Sequence, residues 1–341
     1  MDLVADIGGT NARFALVQAN TGALQHARTL AAADHPDLAS AVRVYLASIG
    51  QPVAGPSQAL RSAAFAVAAP TQGGRIEFTN SPWAFDREAL RRAMDFQQLV
   101  VLNDFEALAL AIPDLPASTL RPLKRGAADP AAPCAVLGPG TGLGVAALLP
   151  PVEGAPSTAP RALRSQGGHV GFAPADDIEL ELLRFMRRRV DRVGTEQLLS
   201  GRGLTHLCAF FATRAGAVPE DLAPATVSAR ALAGDDPVAR EAALRFWALL
   251  GSFAGDVALS FGAWGGVYIG GGVAPRLLPL FDLSDFVARF DAKQPMGELL
   301  APVPVTLIDD PHAALHGAAR ARCAEGSRAS QEGKSPRAAC A

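Results

Sequence analysis

Cysteine is scarce in this sequence: 4 residues in 341, at positions 134, 208, 323 and 340, with no CxxC spacing among them. That excludes a disulfide framework and a thiolate zinc site, and it fits a reducing compartment, so a cytoplasmic location is expected. An excess of charge of one sign is also missing. Lys and Arg total 31 against 33 Asp and Glu, a formal net charge of −2, which leaves no broad basic surface for nucleic acid. Charged residues are only 19% of the chain and hydrophobic ones 49%, so most of it folds around a core rather than forming a solvated tail. The opening MDLVADIGGT has no basic segment ahead of an apolar one, and no signal peptide is expected. One uncharged stretch, residues 257–275, invites a membrane reading, but its Gly-Gly and Gly-Gly-Gly runs would break a lipid-facing helix. It reads instead as a helix end, a loop, a buried strand and a glycine turn, and no membrane partner is expected. HExxH, GxSxG, GxGxxG and GxxxxGK[ST] are all absent, which removes the signatures of zinc proteases, α/β-hydrolases, Rossmann dinucleotide sites and P-loops.

What is present is an alternation of strand and helix signals. LVADIG, RFALVQ, AAFAVAAP, RIEFTN and LVVLN read as strands; HPDLASAVRVYLASIG, FDREALRRAMDF and DFEALALAI read as helices, the second capped by Asp86. This indicates an α/β layered fold with a mainly parallel sheet extended by antiparallel hairpins. After Pro113 the text turns loop-like and Pro-rich until Cys134, where CAVLGPGTGLGVAALLP repeats the opening device of strand, Gly/Thr turn and strand, a weak internal duplication. Helical text follows to about Phe261, then the strands GVYIGGG and VPVTLI and a last helix, HAALHGAARARC, capped by Asp309 or Asp310. From Ala324 the chain is small, polar and unpatterned and reads as a disordered tail.

Four places could carry chemistry. Asp6-Ile7-Gly8-Gly9-Thr10-Asn11 joins two strands, and paired glycines let backbone N–H groups approach an anion, though a plain hairpin turn would use the same residues. Gly138 to Gly144, with Thr141, repeats that chemistry, and two such turns would grip a polyphosphate. Asn103-Asp104 ends a strand and begins a helix, where a carboxylate suits a general base and also suits a helix cap. His169 and Glu196 read equally as ligands or as structural residues; His312 and His316 share a helix face with no acid on it, so no metal site is expected there.

Taken in order, VADIGGTNARFALV, TNSPWAF, VLNDFEALALAIP, LGPGTGLGVA, GGHVGFAP, LLSGRGL and YIGGGVAPR resemble the bacterial glucokinases, the proteobacterial-type hexokinases of the actin-like ATPase superfamily, up to about Cys323. The resemblance implies a two-lobed, ribonuclease H-like fold with duplicated mixed-sheet domains and a central cleft. The expected division is a small α/β domain over 1–113, completed by a helix at about 312–323, and a large one over 114–311, with a tail over 324–341. It implies ATP and Mg²⁺ as cofactors, glucose or a related hexose as substrate, and a homodimer. Asp6, Gly8, Gly9, Thr10 and Asn11 match the first phosphate loop, with Asp6 near the magnesium through water; Gly140, Thr141 and Gly142 match the second, and Gly271 and Gly272 the turn beside the adenosine. Asn103 and Asp104 match the sugar-contacting pair, with Asp104 the base; His169 and Glu196 match further hydroxyl contacts, and Asn80 lies on the loop over the sugar. One position departs: the family usually has Glu where this chain has Gln166, also a sugar contact. Phosphorylation of the glucose 6-hydroxyl is therefore the expected activity. A kinase of another hexose or amino sugar, and a non-catalytic sugar-binding homologue or regulator, stand as alternatives.

Overall fold

The computed structural model describes residues 1–18, 22–52, 60, 62–78, 82–151 and 160–332, with side chains through 322. Its chain separates into two compact units, Met1–Pro116 with Pro151–Ala162 and Asp310–Ala341, and Ala117–Pro150 with Leu163–Asp309.

The first unit opens with β1 (Asp2–Ile7), β2 (Asn11–Val17) and β3 (Leu24–Ala31), then α1 (Leu38–Ser48), β4 (Ser62–Val67), the two-stranded pair β5 (Arg75–Glu77) and β6 (Ala84–Asp86), α2 (Arg87–Ala93), β7 (Gln98–Asn103) and α3 (Asp104–Ala111). Its main sheet has the order β3-β2-β1-β4-β7. β1 and β2 form an antiparallel hairpin, while β4 runs parallel to β1 and β7 parallel to β4, so the carboxyl ends of β1, β4 and β7 share one edge. Alternation sorts the strand side chains onto two faces. Phe65 and Val67 join Phe14, Tyr45 and Leu46 in one core, and Ala64 and Ala66 face the other with Val4, Val100 and Leu102. Asp37 caps α1 through Ser40 N–H at 2.7 Å, and Asp86 caps α2 through Ala89 N–H at 2.8 Å, as the sequence suggests for the latter.

The second unit holds β8 (Leu120–Lys124), β9 (Cys134–Pro139), β10 (Leu143–Leu149), β11 (Arg161–Ser165), α4 (Asp177–Arg187), α5 (Gly201–Arg214), α6 (Pro224–Ala233), α7 (Pro237–Phe261), β12 (Val267–Ile269), α8 (Ala274–Leu277), α9 (Phe286–Asp291), α10 (Gly297–Leu300) and β13 (Val305–Ile308). The sheet order is β11-β10-β9-β12-β13-β8. Its first five strands repeat the pattern of the first unit, a hairpin with a further strand on one side and parallel strands on the other. β8 corrects the loop reading of the Pro-rich passage: Pro122 is tolerated because β8 is an edge strand, antiparallel to β13 alone. Among the described residues α7 is the one helix long and apolar enough to cross a membrane, and 72% of its most apolar window is buried within the protein. Gly262, at φ +59°, ends it. A buried ionic cluster ties three helices: Arg245 Nη1 and Arg289 Nη2 each lie 2.6 Å from Asp176 Oδ2 and 3.0 and 2.6 Å from Oε1 of the fully buried Glu179.

The chain then returns to the first unit as α11 (Ala313–Glu332), which packs on α3 and on β1 and β4. Helix continues past Ala324, where the sequence reading begins a disordered tail, because Ala324, Glu325, Arg328, Ala329 and Gln331 are good helix formers and outweigh Gly326. Gly317 sits so close to α3 that a β-carbon there would run into the carbonyl of Ala107. Gly317→Ala should therefore destabilise the protein by about 1–3 kcal/mol through overpacking. Helix propensity alone predicts a gain of about 1 kcal/mol, so the sign of the shift in urea denaturation separates the two.

Candidate active site

The carboxyl edge of the first unit brings two acids together. Asp6, next to last in β1, faces Arg13 across the hairpin, with Arg13 Nη1 donating to Asp6 Oδ2 at 3.0 Å. Burial pushes the Asp6 carboxyl up, and the charges of Arg13 and His312 oppose the rise. At the end of β7, Asn103 caps α3: its Oδ1 accepts from the N–H groups of Phe105 and Glu106 at 3.0 and 3.3 Å, and Glu106 Oε2 accepts from Asn103 N–H at 3.4 Å. This capping box leaves Asp104 at the first helical position without the capping duty that the sequence allowed it. Asp104 Oδ1 accepts from Phe105 N–H at 3.0 Å. Burial first, then the negative charge of Asp6, pushes the Asp104 carboxyl up to about 7, against the pull of these backbone donors and of Asn103.

Between β1 and β2, Gly8 N–H donates to Asn11 O at 2.9 Å and Gly9 follows in the turn, while Thr10 is exposed and held by Ala32 N–H on its carbonyl at 2.8 Å. Arg13 escaped the sequence reading, although its place opposite Asp6 follows from hairpin register. Asp310 supplies the acid missing from the face of His312 and His316, at 4.0 and 3.9 Å from their ring nitrogens, because it sits in the turn before α11 rather than on it. Asn80 lies outside the described residues.

The second unit gathers its own cluster around the turn from Pro139 to Leu143. Gly140 N–H donates to Gly142 O at 2.8 Å, and Thr141 is exposed at the tip. Three segments converge on this turn. Val273 N–H donates to Pro139 O at 3.1 Å, and Gly271, at φ +78°, approaches so closely that a β-carbon would strike the Pro139 carbonyl; Gly272 beside it has open space. Gly201 N–H, at the start of α5, donates to Gly140 O at 2.9 Å. Glu196 stands in a 3₁₀ turn, Thr195–Gln197, ahead of α5, and its Oε2 accepts from Leu143 N–H at 2.8 Å. His169 ends a second 3₁₀ turn, Gly167–His169, with Nδ1 3.9 Å from Glu196 Oε1 and its side chain 61% exposed. Gln166 precedes that turn, exposed, and makes no capping bond with its side chain. The peptide N–H of Leu143 is the partner that no sequence signal could reveal, since it belongs to the backbone.

No group of three or more His, Cys, Asp or Glu side chains among the described residues could cage a metal. Mg²⁺ binds through one or two carboxylates and the substrate's own phosphates, and Asp6, whose Oδ2 is engaged by Arg13, is a carboxylate beside the Gly8–Gly9 turn. The first unit thus sets two acids beside its glycine turn, and the second unit sets a His–Glu pair beside its own.

The comparisons with known proteins agree with this chemistry. The family model described as Glucokinase matches residues 3–324. A glucokinase of Chromobacterium violaceum is 46% identical over 317 residues, covering 93% of this chain and 88% of that protein; one of Cupriavidus metallidurans is 43% identical over 320 residues, covering 94% and 92%. The crystal structure of a glucokinase from an Antarctic psychrotroph superposes with a TM-score of 0.78 at 37% identity, covering 94% of this chain and 97% of the other. With sequence, fold and paired glycine turns in accord, this chain belongs to the glucokinase family.

Proposed function

We propose that this kinase moves the γ-phosphoryl group of ATP to the 6-hydroxyl of glucose with Asp104 as general base. The observation that carries the assignment is the state of Asp104: at the carboxyl edge of the sheet, relieved of capping by Asn103, with a carboxyl pushed up to about 7. A base is most effective when its pKa lies near the working pH. The sugar's 6-hydroxyl gives its proton to Asp104 as the oxygen attacks phosphorus, the bond to the β-phosphate oxygen breaks, and ADP leaves. Backbone N–H groups of Gly8, Gly9, Thr10 and Asn11 and of Gly140, Thr141 and Gly142 would hold phosphate oxygens, and Gly271 and Gly272 the adenosine. Mg²⁺, held through Asp6, would supply charge neutralisation on the phosphates. Asn80, Asn103, Gln166, His169 and Glu196 would receive the remaining sugar hydroxyls. A cytoplasmic homodimer completes the reading, supported by the family resemblance and by the scarcity of cysteine.

Asp104→Asn should lower hexose phosphorylation by about 10²–10⁴-fold while nucleotide still binds. Stability should move the other way. A carboxyl with a raised folded pKa binds more protons in the native state, so the wild type loses stability as pH rises from about 4 to about 7. The amide has no such loss, and Asp104→Asn should be the more stable protein above pH 7, by up to about 4 kcal/mol. Calorimetry at acid and neutral pH, beside a coupled assay, checks both signs.

Protonated Asp104 cannot accept a proton, so kcat/KM for glucose should fall tenfold per pH unit below an acid limb near about 7. Steady-state assays across that limb test it; a limb at the ordinary carboxylate pKa of about 4 would remove Asp104 from the role.

Gln166 favours a second reading, a kinase of another hexose, because a neutral amide replaces the carboxylate usual in the family. Hydrogen bonds to charged groups contribute roughly 1.5–3 kcal/mol against about 0.5–1.5 for neutral ones. Gln166→Glu should thus lower the glucose KM several-fold and change kcat less. Kinetics on glucose and its C2 and C3 epimers decides between the readings, since a drop in glucose activity with another sugar already preferred would name that sugar as substrate.

A further inference from the structure

Glu196 has two faces. Oε1 points toward His169, at 3.9 Å from Nδ1, and Oε2 accepts from the N–H of Leu143, the residue that closes the turn carrying Gly140, Thr141 and Gly142. Gly142 lies against the same carboxylate, because a β-carbon at that position would stand 2.5 Å from Oε2. The other hydroxyl-facing segment leans on Leu143 as well: a β-carbon on Gly168 would run into the Leu143 carbonyl. Thr195 ties the two segments together, its N–H and Oγ1 both donating to Val170 O at 2.9 and 3.1 Å. Behind Glu196, Gly201 N–H holds Gly140 O. The peptide unit of Leu143 is therefore shared by the segments bearing His169 and Glu196 on one side and the phosphate turn on the other.

From this geometry we propose that Glu196 is a positioning residue for the second phosphate turn in addition to a sugar contact, so that sugar and nucleotide bind cooperatively through the Glu196–Leu143 hydrogen bond. The proposal rests on the reading of Glu196 as a hydroxyl acceptor. With Oε2 fixed on Leu143, Oε1 remains for the sugar. A sugar that immobilises the carboxylate also immobilises Leu143 N–H, and with it the turn that receives phosphate. Linkage makes the effect reciprocal, and couplings of this kind commonly amount to about 5–150-fold in affinity.

The test is a crossed pair of binding measurements by calorimetry, each with one ligand absent. Mg·AMPPNP is titrated into sugar-free protein, and glucose into nucleotide-free protein. Glu196→Ala should weaken Mg·AMPPNP about 5-fold or more with no sugar present. Gly142→Ala should weaken glucose by a similar factor with no nucleotide present, because the new methyl displaces the flexible end of Glu196. Should Gly142→Ala fail to fold, Glu196→Asp, which keeps the charge but falls short of Leu143, should show the same sugar-free loss of Mg·AMPPNP. Absence of either crossed effect overturns the coupling. If Glu196→Ala weakens glucose alone, Glu196 serves the sugar only; if it leaves glucose untouched, the underlying assignment of Glu196 falls as well.

Discussion

Backbone rests directly on backbone around the turn from Pro139 to Leu143, and that depends on residues with no β-carbon. A side chain on Gly138 would meet Gly270, one on Gly271 would meet Pro139, and one on Gly168 would meet Leu143. Contact at this range places peptide N–H and C=O groups rather than side chains around the turn. Peptide dipoles held this way do not reorient as charge develops on a substrate, the property on which electrostatic stabilisation of phosphoryl transfer depends. The same device recurs in the first unit at Gly317, where α11 closes on α3 and holds the helix that begins with Asp104.

At the start of α3, burial of the Asp104 carboxyl and the nearby charge of Asp6 both favour its proton. Arg13 restrains the corresponding rise in Asp6 by pairing with it at 3.0 Å, whereas Asp104 has only backbone donors and Asn103. Both carboxyls are thus raised, Asp104 to about 7, and the rise in Asp6 is opposed by the charges of Arg13 on the neighbouring strand and of His312.

Much of this was legible in residue order. Strand, glycine turn and strand appear twice in the text because buried strands flanking a tight turn leave little freedom in composition, and LVVLN followed by DFEALALAI places Asn103 and Asp104 at a strand end from pattern alone. Which of the two caps the helix was not legible, since both residue types suit the position; only the bonds from Phe105 and Glu106 to Asn103 decide it. β8 was hidden by Pro122, a residue that an edge strand accepts and a central one does not. The tie from Leu143 to Glu196 spans more than fifty residues and uses a peptide group, so no side-chain motif announces it.

Unit one is discontinuous in sequence, and this shapes how the chain comes to be folded as it is made. Its parallel strands β1, β4 and β7 carry one apolar face, with Val4, Ala64, Ala66, Val100 and Leu102, that is covered by α3 and by Leu315, Ala318 and Ala319 of α11. α11 is synthesised only after the whole second unit, roughly 200 residues after α3, which at about 5–20 residues per second is on the order of tens of seconds. Throughout that interval the first unit lacks the helix that completes the cover of this alanine-rich sheet face. The sequence of the second unit is thus made in full before the first can close over its own core.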